Sequence, residues 1–235
     1  MGGVSALPDQ SLNLGFFNGD SRENVLENRR RFLYALGADD WPLVAGKQVH
    51  SADIRVVKTT SDTLKPSPDC DGVVTKHSGI FAGVFTADCT PVLIGDPVTG
   101  AFAAIHAGWR GTASRIVEKS IATLKGEFSV DSKNCIAAIG PAAGSCCYEV
   151  GQDVINQFHQ TFDYADRLFS RHHGEHAYLD VVAANVRQLV DSGLEIENIH
   201  KSDLCTMCRT DLFFSYRMEK SNSAVGRLLS VIGRD

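Results

Sequence analysis

The chain of 235 residues has no apolar run approaching the roughly 20 residues that a membrane-crossing helix needs, so no spanning segment is expected. Basic stretches are just as scarce. The longest is the three-residue run Arg29 to Arg31, and the formal net charge is -5. A nucleic-acid footprint needs a clustered basic surface, so neither nucleic acid nor a membrane is an expected partner. The N-terminal segment MGGVSALPDQSLNLGFFN lacks the basic and apolar regions of a secretory leader, and Ala6 stands where a myristoylation signal needs a hydroxyl residue. A cytoplasmic location follows as the expectation.

Paired histidines are missing too: none of the eight is part of an H-x-H, the pattern that supplies a multicopper cluster. Cysteine is present seven times, an odd number in a chain too long to need disulfide staples, so free or metal-bound thiols are expected. With 43% hydrophobic residues the chain can bury a full core, and one domain spanning 1–235 is expected.

Apolar periodicity predicts a helix from Asp20 to Leu36, capped by Asp20 or Ser21 and broken by Asp39 to Pro42. Strands are expected at Val44 to Val57, Gly72 to Thr75, Ile80 to Thr86, Val92 to Ile94 and Ala101 to His106, with a hairpin turn marked by Asp96, Pro97 and Gly100. A helix should open at Gly108 and run to about Lys125, presenting free backbone N–H groups to an anion. Cys135 to Ile139, Ile199 to Leu204, Phe213 to Tyr216 and Leu228 to Ile232 read as further strands, and Gln152 to Phe158 and Val181 to Ser192 as helices. Strands and helices alternate without repeats, so the expected class is α/β, with mixed sheets flanked by helices.

Three strand-end segments finish on a residue that could bind a metal: His50, Cys89 and His106. Neutral imidazole and thiolate suit zinc, and catalytic zinc sites use three protein ligands with a fourth position open. Spacings of 39 and 17 residues match no generic template, and such residues are also common as satisfied core groups. A cysteine hydrolase built on Cys89 and a histidine is a further alternative. Cys205-Thr-Met-Cys208 could be half of a zinc site, but no second C-x-x-C exists and Cys146-Cys147 are adjacent, so it lacks an obvious other half. The cluster His172, His173 and His176 reads as a solvated loop. Arg29, Arg110 and Arg217 are candidate anion contacts, and Lys47 falls on the strand face opposite His50 by alternation.

The segments Lys47 to His50, Asp71 to Thr75, Thr86-Ala-Asp-Cys-Thr-Pro-Val-Leu93, Ala104-Ile-His-Ala-Gly-Trp-Arg-Gly111, Ile139 to Pro141 with Cys147 to Gly151, and Phe213 to Arg217 closely resemble the laccase-domain family, or multicopper polyphenol oxidases, now viewed as purine nucleoside phosphorylases with adenosine deaminase activity. The resemblance runs in order along nearly the whole chain. It implies zinc on His50, Cys89 and His106, acting as Lewis acid and water activator, with copper as the alternative ion. It implies purine nucleosides (adenosine, inosine, methylthioadenosine) and inorganic phosphate as substrates. It also implies that Ser11, Asn13, Gly15, Asn28 and Arg29 line the nucleoside pocket. Phosphorolysis needs cationic groups for phosphate, and Arg29, Arg110 and Arg217 are the candidates for that task. One departure is Ala142, where family members often carry cysteine. An oxidase of phenols, or a protein whose zinc is purely architectural, are the competing readings, the latter requiring a fourth ligand such as Cys70 or Cys205.

Overall fold

The computed structural model describes residues 2–7, 10–16, 19–38, 40–219 and 225–235. The chain is a mixed α/β structure with several mixed sheets. Its first helix, Arg22–Ala35, starts where Ser21 Oγ accepts a hydrogen bond from Asn24 N at 3.1 Å, which satisfies one of the unpaired amides of the first turn. Asp39, expected in the break beyond it, lies outside the described residues.

The largest sheet has six strands in the spatial order Ile199–Lys201, Ile136–Ile139, Thr90–Gly95, Phe102–Ala107, Gly72–Thr75 and Ile54–Val57. Side-chain alternation along Phe102–Ala107 assigns the layers. Ala103, Ile105 and Ala107 point to a core shared with the helix Ile116–Phe128. Phe102 and Ala104 point the other way, into a core shared with Val84 and Val44 of a three-stranded sheet formed by Leu43–Val44, Ile80–Thr86 and Leu228–Arg234. Every residue of Phe102–Ala107 is buried because both faces are covered. A second three-stranded sheet, Glu149–Gly151, His176–Leu179 and Phe169–His173, packs on the helix Gln152–Thr161 around Phe158.

Four local expectations are corrected. The predicted strand 44–57 is two strands, Leu43–Val44 and Ile54–Val57, separated by a loop in which His50 adopts a left-handed φ of 61°. The helix opening at Gly108 is broken into Trp109–Ala113 and Ile116–Phe128, because Arg115 sits at φ 60°, outside helical space. Phe213 and Phe214 form no strand, and Tyr216–Glu219 is a helical turn whose amides are bonded locally and to Asp88. His172, His173 and His176 lie on a hairpin rather than a loop, its two strands turning at Gly174. There His173 Nε2 meets Glu149 Oε1 at 2.7 Å.

Candidate metal centre and its cavity

The register of the six-stranded sheet brings the first two functional groups together. Gly72 pairs with Ile105 and Val73 with Ala104, so Asp71 falls opposite His106 on the same face. Their side chains meet: His106 Nδ1 donates to Asp71 Oδ1 at 2.7 Å. That bond leaves Nε2 of His106 to face outward as a ligand atom, the carboxylate–histidine arrangement that orients metal-binding imidazoles.

Asp71 also builds the loop that carries the second imidazole. Its carboxylate, 1% exposed, accepts from Val49 N at 3.2 Å, His50 N at 3.0 Å, Ser51 N at 2.7 Å and Ser51 Oγ at 3.0 Å. Those bonds hold the left-handed turn at His50, a conformation that a non-glycine residue keeps only when its surroundings enforce it. Gln48 fastens the same loop to the neighbouring strand, donating to Phe85 O at 2.7 Å and accepting from Phe85 N at 2.8 Å.

Cys89 comes from the turn between Ile80–Thr86 and Thr90–Gly95, where the chain crosses from one sheet to the other. Asp88 makes the crossing at φ 85°. Its carboxylate accepts from Thr206 Oγ1 and from Arg217 N, both at 2.7 Å, and its carbonyl accepts from Ala143 N at 2.8 Å. Asp88 thereby positions the turn.

The donor atoms of His50, Cys89 and His106 thereby lie within 4.8 Å of one another, and Cys89 Sγ is 3.9 Å from His50 Nε2. Two imidazoles and a thiol at this spacing, one imidazole already oriented by a buried carboxylate, form a possible metal-binding site. Gly108 closes it on one side. A Cβ there would stand 3.0 Å from Cys89 Sγ and 3.1 Å from His50 Cδ2, tighter than ordinary packing, so a side chain here would push both ligands outward by a few tenths of an ångström. Cys70 is buried beside Gly46 and Cys205 belongs to a different cluster, so neither supplies a fourth ligand here.

Electrostatics prepares the metal-free site as an ion pair. Burial pushes the Cys89 thiol up, but hydrogen bonds from His106 and His50 outweigh it and bring it down to about 6. Burial pulls His106 down, while Asp71 and then Cys89 raise it to about 9. At pH 7 the thiol has therefore mostly lost its proton already, whereas His106 still carries an extra one. Metal binding should therefore release the His106 proton at pH 7, and a further one from Cys89 as the pH falls through 6 and the thiol becomes protonated in the metal-free state. Calorimetric titration with metal in buffers of different ionisation enthalpy counts these protons, and a count that does not change between pH 7 and 5 contradicts the preformed thiolate.

The three residues open into a cavity of about 860 Å³, also lined by Gly15, Phe16, Arg29, Arg110, Tyr216 and Arg227. Arg29 is held between two rings, 4.2 Å from the Phe16 centroid and 4.8 Å from that of Phe85, and its Nε donates to Leu14 O at 2.8 Å. Burial and then the nearby Arg22 lower its pKa to about 10, so it stays cationic at neutral pH. Arg110 stacks on Trp109 at 4.1 Å. Lys47 reaches the cavity wall although alternation placed it on the far side, because the loop has replaced the strand; it pairs with Asp69 at 3.1 Å.

Three expected pocket residues do not line this cavity. Ser11, Asn13 and Asn28 are buried, and their polar atoms are taken up within the chain. Asn28 Nδ2 donates to Ser5 Oγ at 2.8 Å and Asn13 O at 2.9 Å; Asn13 Oδ1 accepts from Gly15 N at 3.1 Å and Arg227 N at 2.9 Å. They form the wall behind Gly15 and Arg227. Arg217 is likewise turned aside, its guanidinium donating to Glu149 O at 3.0 Å and lying 5.1 Å from the Tyr148 ring centroid. Arg227, which no sequence feature singled out, lines the cavity where Arg217 was expected, and Asp71, although it opens one of the family-like segments, was given no role in the site.

The described residues contain a second close group, Cys146, Cys147, Cys205 and Cys208, whose sulfurs also lie within 4.8 Å of one another. The absence of a second C-x-x-C had left Cys205 and Cys208 without a partner pair; the adjacent cysteines supply it.

Comparison with known proteins finds relatives along the whole chain and solved structures of the same fold. The family described as multi-copper polyphenol oxidoreductase laccase matches residues 1–235. Purine nucleoside phosphorylase YlmD of Geobacillus stearothermophilus is 35% identical over 242 residues, covering 99% of this chain and 87% of that protein. A protein named adenosine deaminase RL5, from an unknown prokaryotic organism, is 34% identical over 231 residues, covering 95% and 87%. The crystal structure of Bacillus licheniformis YfiH superimposes with a TM-score of 0.92 at 32% identity, covering 100% of this chain and 90% of that one.

Proposed function

The chain belongs to the multi-copper polyphenol oxidoreductase laccase family, and on that premise we propose that it is a zinc-dependent purine nucleoside enzyme. In this reading residues 1–235 act as one domain in the cytoplasm, splitting adenosine, inosine and methylthioadenosine with phosphate into free base and ribose 1-phosphate, and also deaminating adenosine. The relatives' names support the substrate class. The observation that carries the proposal is the joining of the His50, Cys89 and His106 cluster to a cationic cavity lined by Arg29, Arg110 and Arg227.

Phosphorolysis brings an anion to the sugar while a purine departs, so the site must hold one negative reactant and stabilise another. The arginines suit the first task through charge-assisted hydrogen bonds. Phe16, Phe85 and Tyr216 offer aromatic faces for the base. Zinc on His50, Cys89 and His106 would supply Lewis acidity at an open fourth position. Asp71 fixes the His106 ring and the His50 loop, which keeps both nitrogens aimed at one point.

The donors favour zinc over copper. A type 1 copper site adds a weak axial Met, Gln or backbone oxygen to this ligand set. Among the described residues no methionine lines the cavity, and the Gln48 amide is bonded to Phe85 at both ends. Among the described residues the other close group of potential ligands is made of cysteines alone, which gives a histidine-rich trinuclear cluster nowhere to form.

Incubation with each nucleoside, with and without phosphate, should yield free base only when phosphate is present, and inosine from adenosine in either case. No product from metal-loaded protein would overturn the proposal. Arg110→Ala, a change at an exposed residue, should raise the KM for phosphate about tenfold, the equivalent of one lost charged hydrogen bond, and leave the KM for nucleoside near its original value.

A further inference from the structure

We infer that Cys146, Cys147, Cys205 and Cys208 form a second metal site, a closed tetrathiolate centre that takes zinc and staples the loop 140–148 to the loop 201–209. Cys147 and Cys208 sulfurs are 3.1 Å apart and those of Cys146 and Cys208 3.5 Å, with all four inside 4.8 Å. A tetrahedral ion about 2.3 Å from each of four sulfurs sets them about 3.8 Å from one another, in the middle of that range. A disulfide would need about 2.05 Å. Four thiols that converge from two loops have little to gain from one another as S–H groups, which are weak donors and weak acceptors.

The surroundings fit thiolates. Cys205 Sγ accepts from Gly144 N at 3.3 Å and from the Cys208 backbone N–H, so two amides already point at a sulfur. Gly144 packs against two of the four cysteines, less tightly than Gly108 does at the first site: a Cβ there would meet Cys146 Sγ at 3.3 Å and Cys205 Cβ at 3.4 Å. Arg171 donates to Ser145 O at 2.7 Å and to Cys146 O at 2.6 Å, holding a fixed cation beside a centre whose four thiolates outnumber the charge on a divalent ion. Four sulfur ligands leave no place for water, which is the composition of a structural zinc site and differs from the two-nitrogen, one-sulfur set around His106.

The stapled loops are those that hold Asp88. Ala143 N donates to its carbonyl and Thr206 Oγ1 to its carboxylate, and Asp88 precedes Cys89. The second centre therefore stabilises the turn that presents a ligand to the first.

Elemental analysis of protein purified with a thiol reductant should find two zinc ions per chain. Cys147→Ser combined with Cys208→Ser should retain one, and so should His50→Ala combined with His106→Ala. X-ray absorption of the histidine variant should then show sulfur alone around zinc, at about 2.3 Å. One zinc in the parent protein with none in the folded histidine variant overturns the inference, as does iron in place of zinc or an intact mass lower by two hydrogens, the mark of a disulfide. Should the cysteine variant fail to fold, the parent stoichiometry and the histidine variant still decide, and both are independent of whether the protein acts on nucleosides.

Discussion

Cys89→Ala is expected to leave the protein folded, to empty the His50 and His106 site of metal, and to lower purine nucleoside turnover at least about a thousandfold. Metal Lewis acidity contributes several kcal/mol of transition-state stabilisation, and each 1.36 kcal/mol is a factor of ten. Cys89 offers the only anionic donor of the three, and hydrogen bonds from both imidazoles already favour its thiolate. Removing it leaves two neutral imidazoles, a poor cage for a divalent ion. The fold should survive because Cys89 is only half-buried and the turn is held by Asp88, through Thr206, Arg217 and Ala143. Metal analysis, circular dichroism and product chromatography on one preparation test each part. The same assay separates a metal enzyme from a cysteine hydrolase that uses the Cys89 and His106 pair as nucleophile and base. A chelator should abolish turnover in the parent protein, whereas the hydrolase would keep it.

Asp71→Asn should weaken metal binding about 10- to 100-fold, the usual effect of removing the group that orients a histidine ligand. An amide in that position turns a donor towards backbone N–H groups that are themselves donors, and only one oxygen remains for the amides of Val49, His50 and Ser51. Asp71→Ala should be harsher, destabilising the fold by about 3–5 kcal/mol as for one partner lost from a buried pair. At about 2–4 °C per kcal/mol for a chain of this size, the melting temperature should fall by roughly 10 °C.

The pH dependence has a definite sign. Burial raises the Asp71 carboxyl, but hydrogen bonds from His106 and the Ser51 amide outweigh it and leave it at about 2, below its ordinary 3.8. Its stabilisation of the metal-free protein is complete above about pH 4 and lost as pH falls through 2. His106, raised to about 9 from 6.5, contributes fully below 6.5 and loses its contribution as pH rises through 9. Chemical denaturation of the metal-free forms should therefore show the widest gap between parent and Asp71→Asn from pH 4 to 6.5, narrowing on both sides.

Much of this site was readable from local pattern. The strands Gly72–Thr75 and Ile80–Thr86 match their expected bounds, and the helix Arg22–Ala35 starts at its expected cap, because alternation, periodicity and capping are short-range signals. The three candidate ligands were named from motif and residue chemistry. The loop at His50 was not foreseen, since its left-handed turn depends on a carboxylate 21 residues away. Ser11, Asn13 and Asn28 lie behind the cavity wall rather than on it, a placement that residue type does not reveal, since an amide can face a cavity or a backbone. The pair Cys146-Cys147 looked unlike half of a zinc site because metal templates are written as spacings along one chain segment, while ligand geometry is met in space.

By itself the sequence determined which donors are available at His50, Cys89 and His106: two imidazoles and a thiol, each within a distinctive local motif. Tertiary structure alone decided that they converge. The register of Gly72 on Ile105 sets Asp71 against His106, and the crossing between sheets at Asp88 delivers Cys89. Convergence depends on strand pairing and on buried hydrogen bonds between residues far apart in the chain, and neither leaves a periodic trace in the order of amino acids.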